Sequence, residues 1–290
     1  METVSKRLPS WLRRQLPVRS AEATHEVLAK HRLNTVCESA LCPNRSECYS
    51  HRTATFMILG DICTRSCGFC AIKAGKGLQV EIDEPQRVAL AAKELGLEYV
   101  VVTSVARDDL KDEGAGHFAN TILALRREIS GVRIEVLTPD FHAREELIQI
   151  VAEAEPNVFN HNIETVKRLQ KKVRPQASYE RSLEVIRAIK RLNPRIYTKS
   201  GVMLGMGESI EEVLETARDL QAAGCDILTI GQYLPPTKDQ HLELVDYISP
   251  ETFASLAESI RPMGFKEVYA GPYVRSSYHA GETFLNCESV

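Results

Sequence analysis

The stretch TATFMILGDICTRSCGFCAI, residues 53–72, joins a short apolar run to a loop that carries three cysteines. The run itself, 53–59, is rich in Thr, Phe, Met, Ile and Leu, and this composition over so short a length predicts a buried β-strand. The loop follows at once and holds Cys63, Cys67 and Cys70 at C-x3-C-x2-C spacing. Three thiols cannot all pair as disulfides, and they are one fewer than the four ligands of a closed structural metal site. The stretch therefore predicts a strand that ends at an incomplete thiolate metal site.

Five more short apolar runs follow the first one. They lie at 98–105, 133–139, 157–163, 196–204 and 226–234. Segments with apolar residues at helical spacing separate them, near 84–95, 115–129, 143–153, 164–171, 178–192 and 209–223. Strands that alternate with helices predict a parallel sheet covered by helices, and continuously apolar strands are typical of sheets buried on both faces. Such a sheet is either open and doubly wound or curved into a barrel, and the missing glycine-rich dinucleotide fingerprint weakens the first alternative. We expect an α/β fold, a partial (β/α)6 TIM-type barrel.

Polar residues recur where these runs end. In a barrel of parallel strands, the active site is built at the carboxyl ends of the strands. The residues at these points are Thr103, Ser104, Asp140, Asn160, His161, Asn162, Lys199, Ser200 and Gln232. The recurrence predicts a functional rim, with ordinary loop or core polarity as the alternative for each single residue.

The composition is that of an ordinary globular protein, with 43% hydrophobic and 26% charged residues in a chain of 290. The net charge of −3 gives no indication of binding to nucleic acid or to a membrane surface. No apolar run approaches the ~18 residues of a transmembrane helix, and the basic, proline-broken N-terminus lacks the apolar centre of a secretory signal. We therefore expect a cytoplasmic protein, in a compartment that keeps thiols reduced.

Six of the eight cysteines fall within residues 37–70, which in a reducing compartment indicates metal binding rather than disulfides. The first three of them, Cys37, Cys42 and Cys48, have C-x4-C-x5-C spacing. Thiolates select zinc, copper(I) or iron–sulfur clusters, and a pool of six thiols around zinc stays open as an alternative. A cubane cluster has four iron corners, so three cysteines leave one iron open for chemistry.

The C-x3-C-x2-C loop, with Phe69 before its last cysteine, resembles the signature of the radical S-adenosylmethionine superfamily. The earlier triad, together with RSSYHAGE at 275–282, resembles the lipoyl synthase family more narrowly. Further stretches that carry this resemblance are PSWLRRQLP at 9–17, VTSVARDDLKDEGAGHFA at 102–119, VLTPDF at 136–141, NHNIETV at 160–166, KSGVMLGMGE at 199–208 and GQYLPP at 231–236. The resemblance covers nearly the whole chain. It departs from the family at Ala106, where many relatives carry an acidic residue.

The resemblance implies a transferase that inserts two sulfur atoms, at carbons 6 and 8, into an octanoyl chain amide-linked to a lysine of a carrier domain. It implies two [4Fe-4S] clusters and S-adenosylmethionine, whose reductive cleavage gives the 5′-deoxyadenosyl radical that abstracts hydrogen. The implied sulfur donor is the second, auxiliary cluster. The resemblance also implies an N-terminal extension at 1–52, a radical S-adenosylmethionine barrel at 53–264 and a C-terminal extension at 265–290.

Roles for single residues follow from the resemblance as well. The implied metal ligands are Cys63, Cys67 and Cys70 for the cluster that cleaves S-adenosylmethionine, and Cys37, Cys42, Cys48 and Ser277 for the auxiliary cluster. The softer thiol of Cys287 is a rival fourth ligand, but we expect it on a mobile tail. The candidate contacts for S-adenosylmethionine are Thr103 and Ser104 for its amino group, Asn160, Asn162 and Glu164 for its ribose, Arg174 or Lys199 for its carboxylate, and Met203, Gln232, Tyr233 and Leu234 for its adenine.

The implied partners are octanoylated lipoyl carrier domains, namely the 2-oxoacid dehydrogenase acyltransferase subunit and the glycine cleavage carrier protein. An electron donor such as flavodoxin or ferredoxin and a carrier that repairs the auxiliary cluster are implied too, and no nucleic acid or membrane is expected. Two alternatives stay open: another sulfur-inserting radical enzyme, such as biotin synthase, and a two-cluster electron carrier without enzyme activity. Formation of 5′-deoxyadenosine separates the electron carrier from the enzymes.

Overall fold

The computed structural model describes residues 7–13, 21–237 and 239–288. The α-helices are α1 (Glu22–Lys30), α2 (Val36–Ser39), α3 (Arg45–Ser50), α4 (Glu84–Leu95), α5 (Ala115–Glu128), α6 (Glu145–Glu153), α7 (Gln170–Val173), α8 (Tyr179–Leu192), α9 (Ile210–Ala222), α10 (Pro250–Ile260) and α11 (Ala280–Glu288). The strands are β1 (Asn34–Thr35), β2 (Thr55–Ile58), β3 (Ile62–Cys63), β4 (Lys73–Ala74), β5 (Tyr99–Ser104), β6 (Arg133–Leu137), β7 (Val158–Asn160), β8 (Tyr197–Leu204), β9 (Ile227–Gln232) and β10 (Glu267–Gly271). Part of the PSWLRRQLP stretch, 14–17, lies outside the described residues.

One large sheet has the strand order β1-β2-β5-β6-β7-β8-β9-β10. All neighbours from β2 to β10 are parallel, and only β1 at the edge is antiparallel. Each of the six apolar runs predicted as strands forms one, as β2 and β5 to β9. The strands are buried on both faces and alternate with helices, which confirms the predicted α/β fold.

The strand β10 was missed by the sequence analysis, which ended the strand–helix repeat near residue 265. It pairs in parallel with β9, with Val268 opposite Leu228. Only Val268 of its five residues is buried, so the segment lacks the continuous apolar run that marks the inner strands. The parallel part of the sheet therefore has one strand more than predicted.

Most helices lie where the apolar spacing predicts them, and local signals fix their ends. Gly96 closes α4 in the left-handed conformation, at φ +71°, which glycine adopts without steric cost. Ser209 and Glu212 form a reciprocal capping box at the start of α9. The helix predicted near 164–171 is instead a 3-10 turn followed by the short α7. It stops at Arg174 because a proline follows, which disfavours helical backbone.

The two edges of the sheet are bridged by the chain segments outside the inner strands. Near the first edge, Asn44 Nδ2 donates to the carbonyl oxygen of Tyr273 over 2.8 Å. The hydroxyl of Tyr278 donates to Glu47 Oε1 over 2.9 Å. The open side of the partial barrel is therefore spanned by contacts between the N-terminal and C-terminal extensions.

Helix α11 packs across the amino ends of the strands. The Phe284 ring contacts Tyr99 at 5.7 Å and Tyr197 at 5.4 Å between ring centroids. Those two tyrosines are the first residues of β5 and β8, so α11 covers one end of the barrel and leaves the carboxyl end for a site. None of the helices within the described ranges is both long and apolar enough to cross a membrane.

Candidate active site

A cavity of about 440 Å³ opens at the carboxyl ends of the parallel strands. Its lining draws on the loops after most of the inner strands and on both extensions. The predicted site residues that line it are Cys42, Cys63, Cys67, Cys70, Thr103, Ser104, Asn162, Glu164, Arg174, Met203, Tyr233, Leu234 and Ser277. The structure thus brings thiols of both triads and the second serine of the RSSY motif to one place.

The C-x3-C-x2-C loop connects β3 to β4, which pair in parallel, and its three cysteines line the cavity. The Sγ atom of Cys63 lies 3.3 Å from the backbone nitrogen of Ala106 and 3.4 Å from that of Arg65, and both N–H groups donate to it. These two contacts hold the sulfur of Cys63 beside the loop that follows β5. Ala106 thus contributes through its backbone, although its side chain departs from the family.

Burial raises the pKa of Cys67 to about 11 and that of Cys70 to about 12. Both thiols therefore carry a proton at neutral pH while no metal is bound. Metal binding has to displace these protons, because only thiolates ligate.

Arg65 anchors the cysteine loop to the rim of the barrel. It is buried between Cys63 and Cys67, and it forms ion pairs with Asp108 at 2.7 Å and with Asp140 at 2.8 Å. The guanidinium holds the pKa of the Asp140 carboxyl well below its usual range. Sequence reasoning missed this role, because an arginine between two cysteines gives no sign of its distant partners.

The first triad sits on two short helices beside the sheet edge. Cys37 lies in α2 and Cys48 in α3, with Cys42 between them, and the N–H of Cys42 donates to the carbonyl of Cys37 over 3.1 Å. Cys42 lines the cavity, whereas burial raises the pKa of Cys37 to about 11. The Thr35 hydroxyl caps α2 and contacts the Tyr49 hydroxyl at 2.6 Å, which ties the two helices together.

The RSSY segment crosses the cavity from the opposite edge of the sheet. Ser276 Oγ donates to Asn162 Oδ1 over 2.9 Å, so this first serine is engaged with the barrel. Ser277 lines the same cavity as Cys42. Asn44, close to Cys42 in the chain, donates a hydrogen bond to the carbonyl of Tyr273, which lies shortly before Ser277. This contact brings the RSSY segment to the side of the first triad.

Cys287 lies at the other end of the barrel. It belongs to α11, is only 4% exposed, and its thiol donates to the carbonyl of Thr283 over 3.3 Å. The expected mobile tail is therefore wrong, because Phe284 packs this helix onto the amino ends of the strands. Cys287 does not line the cavity, so this alternative fourth ligand lies at the opposite end of the strands from the other proposed ligands.

Three of the predicted S-adenosylmethionine contacts do not reach the cavity. Lys199 Nζ forms an ion pair with Glu135 Oε2 at 3.0 Å, and Asn160 Nδ2 donates to Glu135 Oε1 at 2.9 Å. A buried charge needs such partners, and the strands carry these side chains into the barrel interior. Gln232 Nε2 instead donates to the carbonyls of Leu204 and Asp246, and the residue holds the loop after β9. These three predictions are corrected accordingly.

Two buried hydroxyls test whether a polar cofactor fits the cavity. Ser104 Oγ and Thr138 Oγ1 both belong to cavity-lining residues, and neither has a hydrogen-bond partner within the described residues. An unsatisfied buried hydroxyl is costly, so these atoms fit a ligand with amino, carboxylate or hydroxyl groups. Thr138 was missed by the sequence analysis. Its position at the end of β6, just before the predicted rim residue Asp140, was the available signal.

Arg174 and His161 form a hydrogen-bonded chain at the wall of the cavity. Arg174 Nη1 donates to Ser182 Oγ at 3.1 Å, and Ser182 Oγ lies 3.1 Å from His161 Nε2. His161 Nδ1 faces the carbonyl of Thr138 at 3.0 Å. Burial, with the charge of Arg174, lowers the pKa of His161 to about 4. The imidazole is therefore neutral, donating through Nδ1 and accepting through Nε2.

Comparison with known proteins shows the family to which this chain belongs. The profile of the Radical SAM superfamily matches residues 57–220. Lipoyl synthase 2 of Gloeobacter violaceus is 54% identical over 282 residues, which cover 97% of this chain and 97% of that protein. Lipoyl synthase of Caldanaerobacter subterraneus subsp. tengcongensis is 52% identical, over 94% of this chain and 96% of the relative. The chain belongs to the lipoyl synthase family.

Solved structures agree on the fold of this lipoyl synthase family member. Methylornithine synthase (PylB) superposes with a TM-score of 0.51 at 16% identity, covering 90% of this chain and 82% of that one. The hydrogenase maturase HydG from Carboxydothermus hydrogenoformans gives a TM-score of 0.53 at 14% identity, covering 91% and 78%. Membership confirms the predicted enzyme class, a sulfur-inserting radical S-adenosylmethionine enzyme with a [4Fe-4S] cluster and S-adenosylmethionine as cofactors.

Proposed function

We propose that the chain forms lipoyl groups with two [4Fe-4S] clusters that face each other across one cavity. Cys63, Cys67 and Cys70 would hold the cluster that binds S-adenosylmethionine, and the first triad with Ser277 would hold the auxiliary cluster. The observation that carries this proposal is the shared lining: Cys42 and Ser277 line the cavity together with the whole second triad.

When bound, the cofactors would supply two 5′-deoxyadenosyl radicals, one for a hydrogen at C6 and one for a hydrogen at C8 of the octanoyl chain, each formed with one electron from the proposed donor. The auxiliary cluster would supply the two sulfurs. The protein supplies the placement. Direct transfer of sulfur requires donor and acceptor within contact distance, so holding both ligand sets on one cavity shortens the path. Apolar lining residues such as Met57, Leu137 and Val202 suit an alkyl chain and exclude water.

Serine as the fourth auxiliary ligand fits a cluster that is consumed. An alkoxide is a harder ligand than a thiolate and suits iron less well. A serine can take up a proton and leave when the cluster is dismantled, whereas a thiolate would retain the iron. Ser277 is supported further by the contacts that join its segment to the first triad, through Asn44 and Tyr273.

The contacts proposed for S-adenosylmethionine are the cavity-lining polar groups. Ser104 and Thr138 offer unpartnered hydroxyls, and Asn162 and Glu164 line the same wall. Arg174 is the cation proposed for the carboxylate, since Lys199 is paired with Glu135. The remaining proposed contacts are Thr103 for the amino group and Met203, Tyr233 and Leu234 for the adenine.

The substrate proposed from the family is the octanoyl-lysine of lipoyl carrier domains, in the 2-oxoacid dehydrogenase acyltransferase subunit and the glycine cleavage carrier protein. Flavodoxin or ferredoxin is the proposed electron donor, a cluster-repair carrier the proposed source of new sulfur, and the cytoplasm the proposed compartment. We assign 1–52 and 265–290 to extensions that carry the auxiliary site and 53–264 to the barrel. The second extension also supplies β10.

Iron content tests the two-cluster proposal. The reconstituted chain should bind about eight irons, as expected of two four-iron clusters. Replacing Cys63, Cys67 and Cys70 by Ala, or Cys37, Cys42 and Cys48 by Ala, should each leave about half. A matched control is Cys225→Ala, since Cys225 is buried away from the cavity and donates to Ile227. Four irons in the parent chain, or all iron lost with one triad, would contradict the proposal.

A further inference from the structure

Gly231, in β9, lies against the backbone of the C-terminal extension. A methyl group added at Gly231 would sit 2.1 Å from the carbonyl oxygen of Val274 and 3.0 Å from its carbonyl carbon. These are backbone atoms, which cannot swing aside as the end of a side chain can. Val274 itself is buried, so the absence of a side chain at Gly231 allows this close approach.

The approached segment is held at several other points. The Val274 carbonyl accepts from Arg275 Nη1 at 2.7 Å, and the Tyr278 N–H donates to the carbonyl of Arg275 at 2.9 Å. The hydroxyl of Ser276 donates to Asn162. Gly201 leaves little space beside this hydroxyl, since a methyl group there would lie 3.0 Å from Ser276 Oγ. The segment 274–276 therefore runs in a groove whose floor is formed by glycines of β8 and β9.

We propose that Gly231 is a positioning residue that seats the segment 274–276 and thereby fixes Ser277 in the cavity. This rests on the proposed function in one respect, the assignment of Ser277 as a cluster ligand. Ser277 follows the seated segment directly, so a displacement of the Val274 carbonyl moves it away from the first triad. Gly231 acts by leaving room for the carbonyl of Val274, and it contacts no reacting atom.

The chain provides a matched control in Gly271, the last residue of β10. A methyl there would lie 3.4 Å from Val274 Cγ2, which is an ordinary van der Waals contact with a side chain. Neither glycine has a positive φ, so alanine suits the backbone at both. Gly231→Ala and Gly271→Ala thus differ in whether they push against the Val274 backbone.

The test measures amide hydrogen exchange in the cluster-free, full-length chain. In G231A, exchange over 273–279 should become about tenfold faster or more, as expected of an overpacked contact, while the amides of β8 keep the parent's protection. G271A should match the parent. After reconstitution, G231A should lose iron from the first triad to an added chelator severalfold faster than the parent, because Ser277 no longer completes the ligand set. Unchanged exchange over 273–279 in a folded G231A, or equal acceleration in G271A, would show that Gly231 does not position the segment 274–276.

The outcomes separate the seat from the ligand assignment. If G231A releases the segment but loses iron to the chelator at the parent's rate, Gly231 still positions the segment and Ser277 is not the fourth ligand. Should G231A fail to fold, Ser276→Ala decides, since it keeps the glycine and removes the hydrogen bond to Asn162. S276A should accelerate exchange over 273–279 severalfold, and an unchanged rate would contradict the seat.

Discussion

At the scale of single residues, the proposed auxiliary site needs a fourth ligand beside the three cysteines of the first triad. Softness alone would select the thiol of Cys287 over the hydroxyl of Ser277. Position favours Ser277 as we propose, because Cys287 packs in α11 at the amino ends of the strands and Ser277 lines the cavity with Cys42. The sequence offered both candidates, and only the fold shows that they lie at opposite ends of the strands.

Ser277→Ala should lower lipoyl formation at least roughly tenfold, since even groups that merely support metal ligands have effects of that size. Cys287→Ala should leave lipoyl formation near the parent's rate and only lower stability slightly, because a buried sulfur is lost. The measurement is product per chain together with bound iron. Loss of the auxiliary iron in C287A, with normal iron in S277A, would reverse the assignment of the ligand.

His161 gives the apo chain a specific pH dependence. Its folded pKa of about 4 lies below the ordinary 6.5, so the unfolded chain binds more protons between these values, and stability falls as pH drops through that window. Between pH 7 and pH 5 the parent should lose about 2 kcal/mol of unfolding free energy from this group. Urea unfolding at pH 7 and pH 5 measures this loss, which should be clearly smaller in His161→Gln than in the parent. An equal loss of unfolding free energy in the parent and in H161Q would contradict a buried, neutral imidazole at His161.

At the scale of elements, the loop after β9 clamps the cysteine loop. The Leu242 N–H donates to the carbonyl of Gly68 at 2.9 Å, and a methyl at Gly68 would lie 2.8 Å from Leu242 Cγ. His241 Nε2 lies 3.1 Å from the carbonyl oxygen of Cys70. The ligand loop is thus held on one side by Arg65 and on the other by this clamp.

Leu242→Ala should loosen the clamp by removing the side chain that packs on Gly68. We expect iron to be lost severalfold faster from the second triad when a chelator is added, since buried leucine truncations cost about 2–5 kcal/mol in full cores and less at a half-buried site. Leu123→Ala, at a half-exposed position of α5, is the control. Identical iron release from L242A and the parent would show that the loop does not support the cluster.

The elements also show how far sequence reasoning extends. Continuous apolar runs located all six inner strands, because burial on both faces leaves a clear composition. β10 escaped because only Val268 is buried in it. The two cysteine triads were visible in the sequence as clusters of thiols, and their roles as cluster ligands stay a prediction. The pairing of Lys199 and Asn160 with Glu135 was not visible in the sequence, because a polar residue near a strand end can face the cavity or the barrel interior, and spacing alone does not distinguish these.

At the scale of the whole molecule, the two extensions close the open side of the barrel. Asn44 is 1% exposed and binds the Tyr273 carbonyl. Asn44→Ala removes this buried donor and should lower the free energy of unfolding by about 1–3 kcal/mol. The exposed Asn286→Ala, which loses only a contact with Glu267, should stay within about 0.5 kcal/mol of the parent. Equal effects of the two changes would mean that the bridge contributes nothing specific.

One reaction tests whether the two triads have the different roles that we propose. The variant with Cys37, Cys42 and Cys48 replaced by Ala is supplied with S-adenosylmethionine, reductant and an octanoylated carrier, and both 5′-deoxyadenosine and lipoyl-lysine are quantified. We predict 5′-deoxyadenosine without lipoyl-lysine, because the second triad retains its cluster and the sulfur donor is gone. Lipoyl-lysine from this variant, or no 5′-deoxyadenosine from a chain that still holds its four irons, would contradict these roles of the two triads.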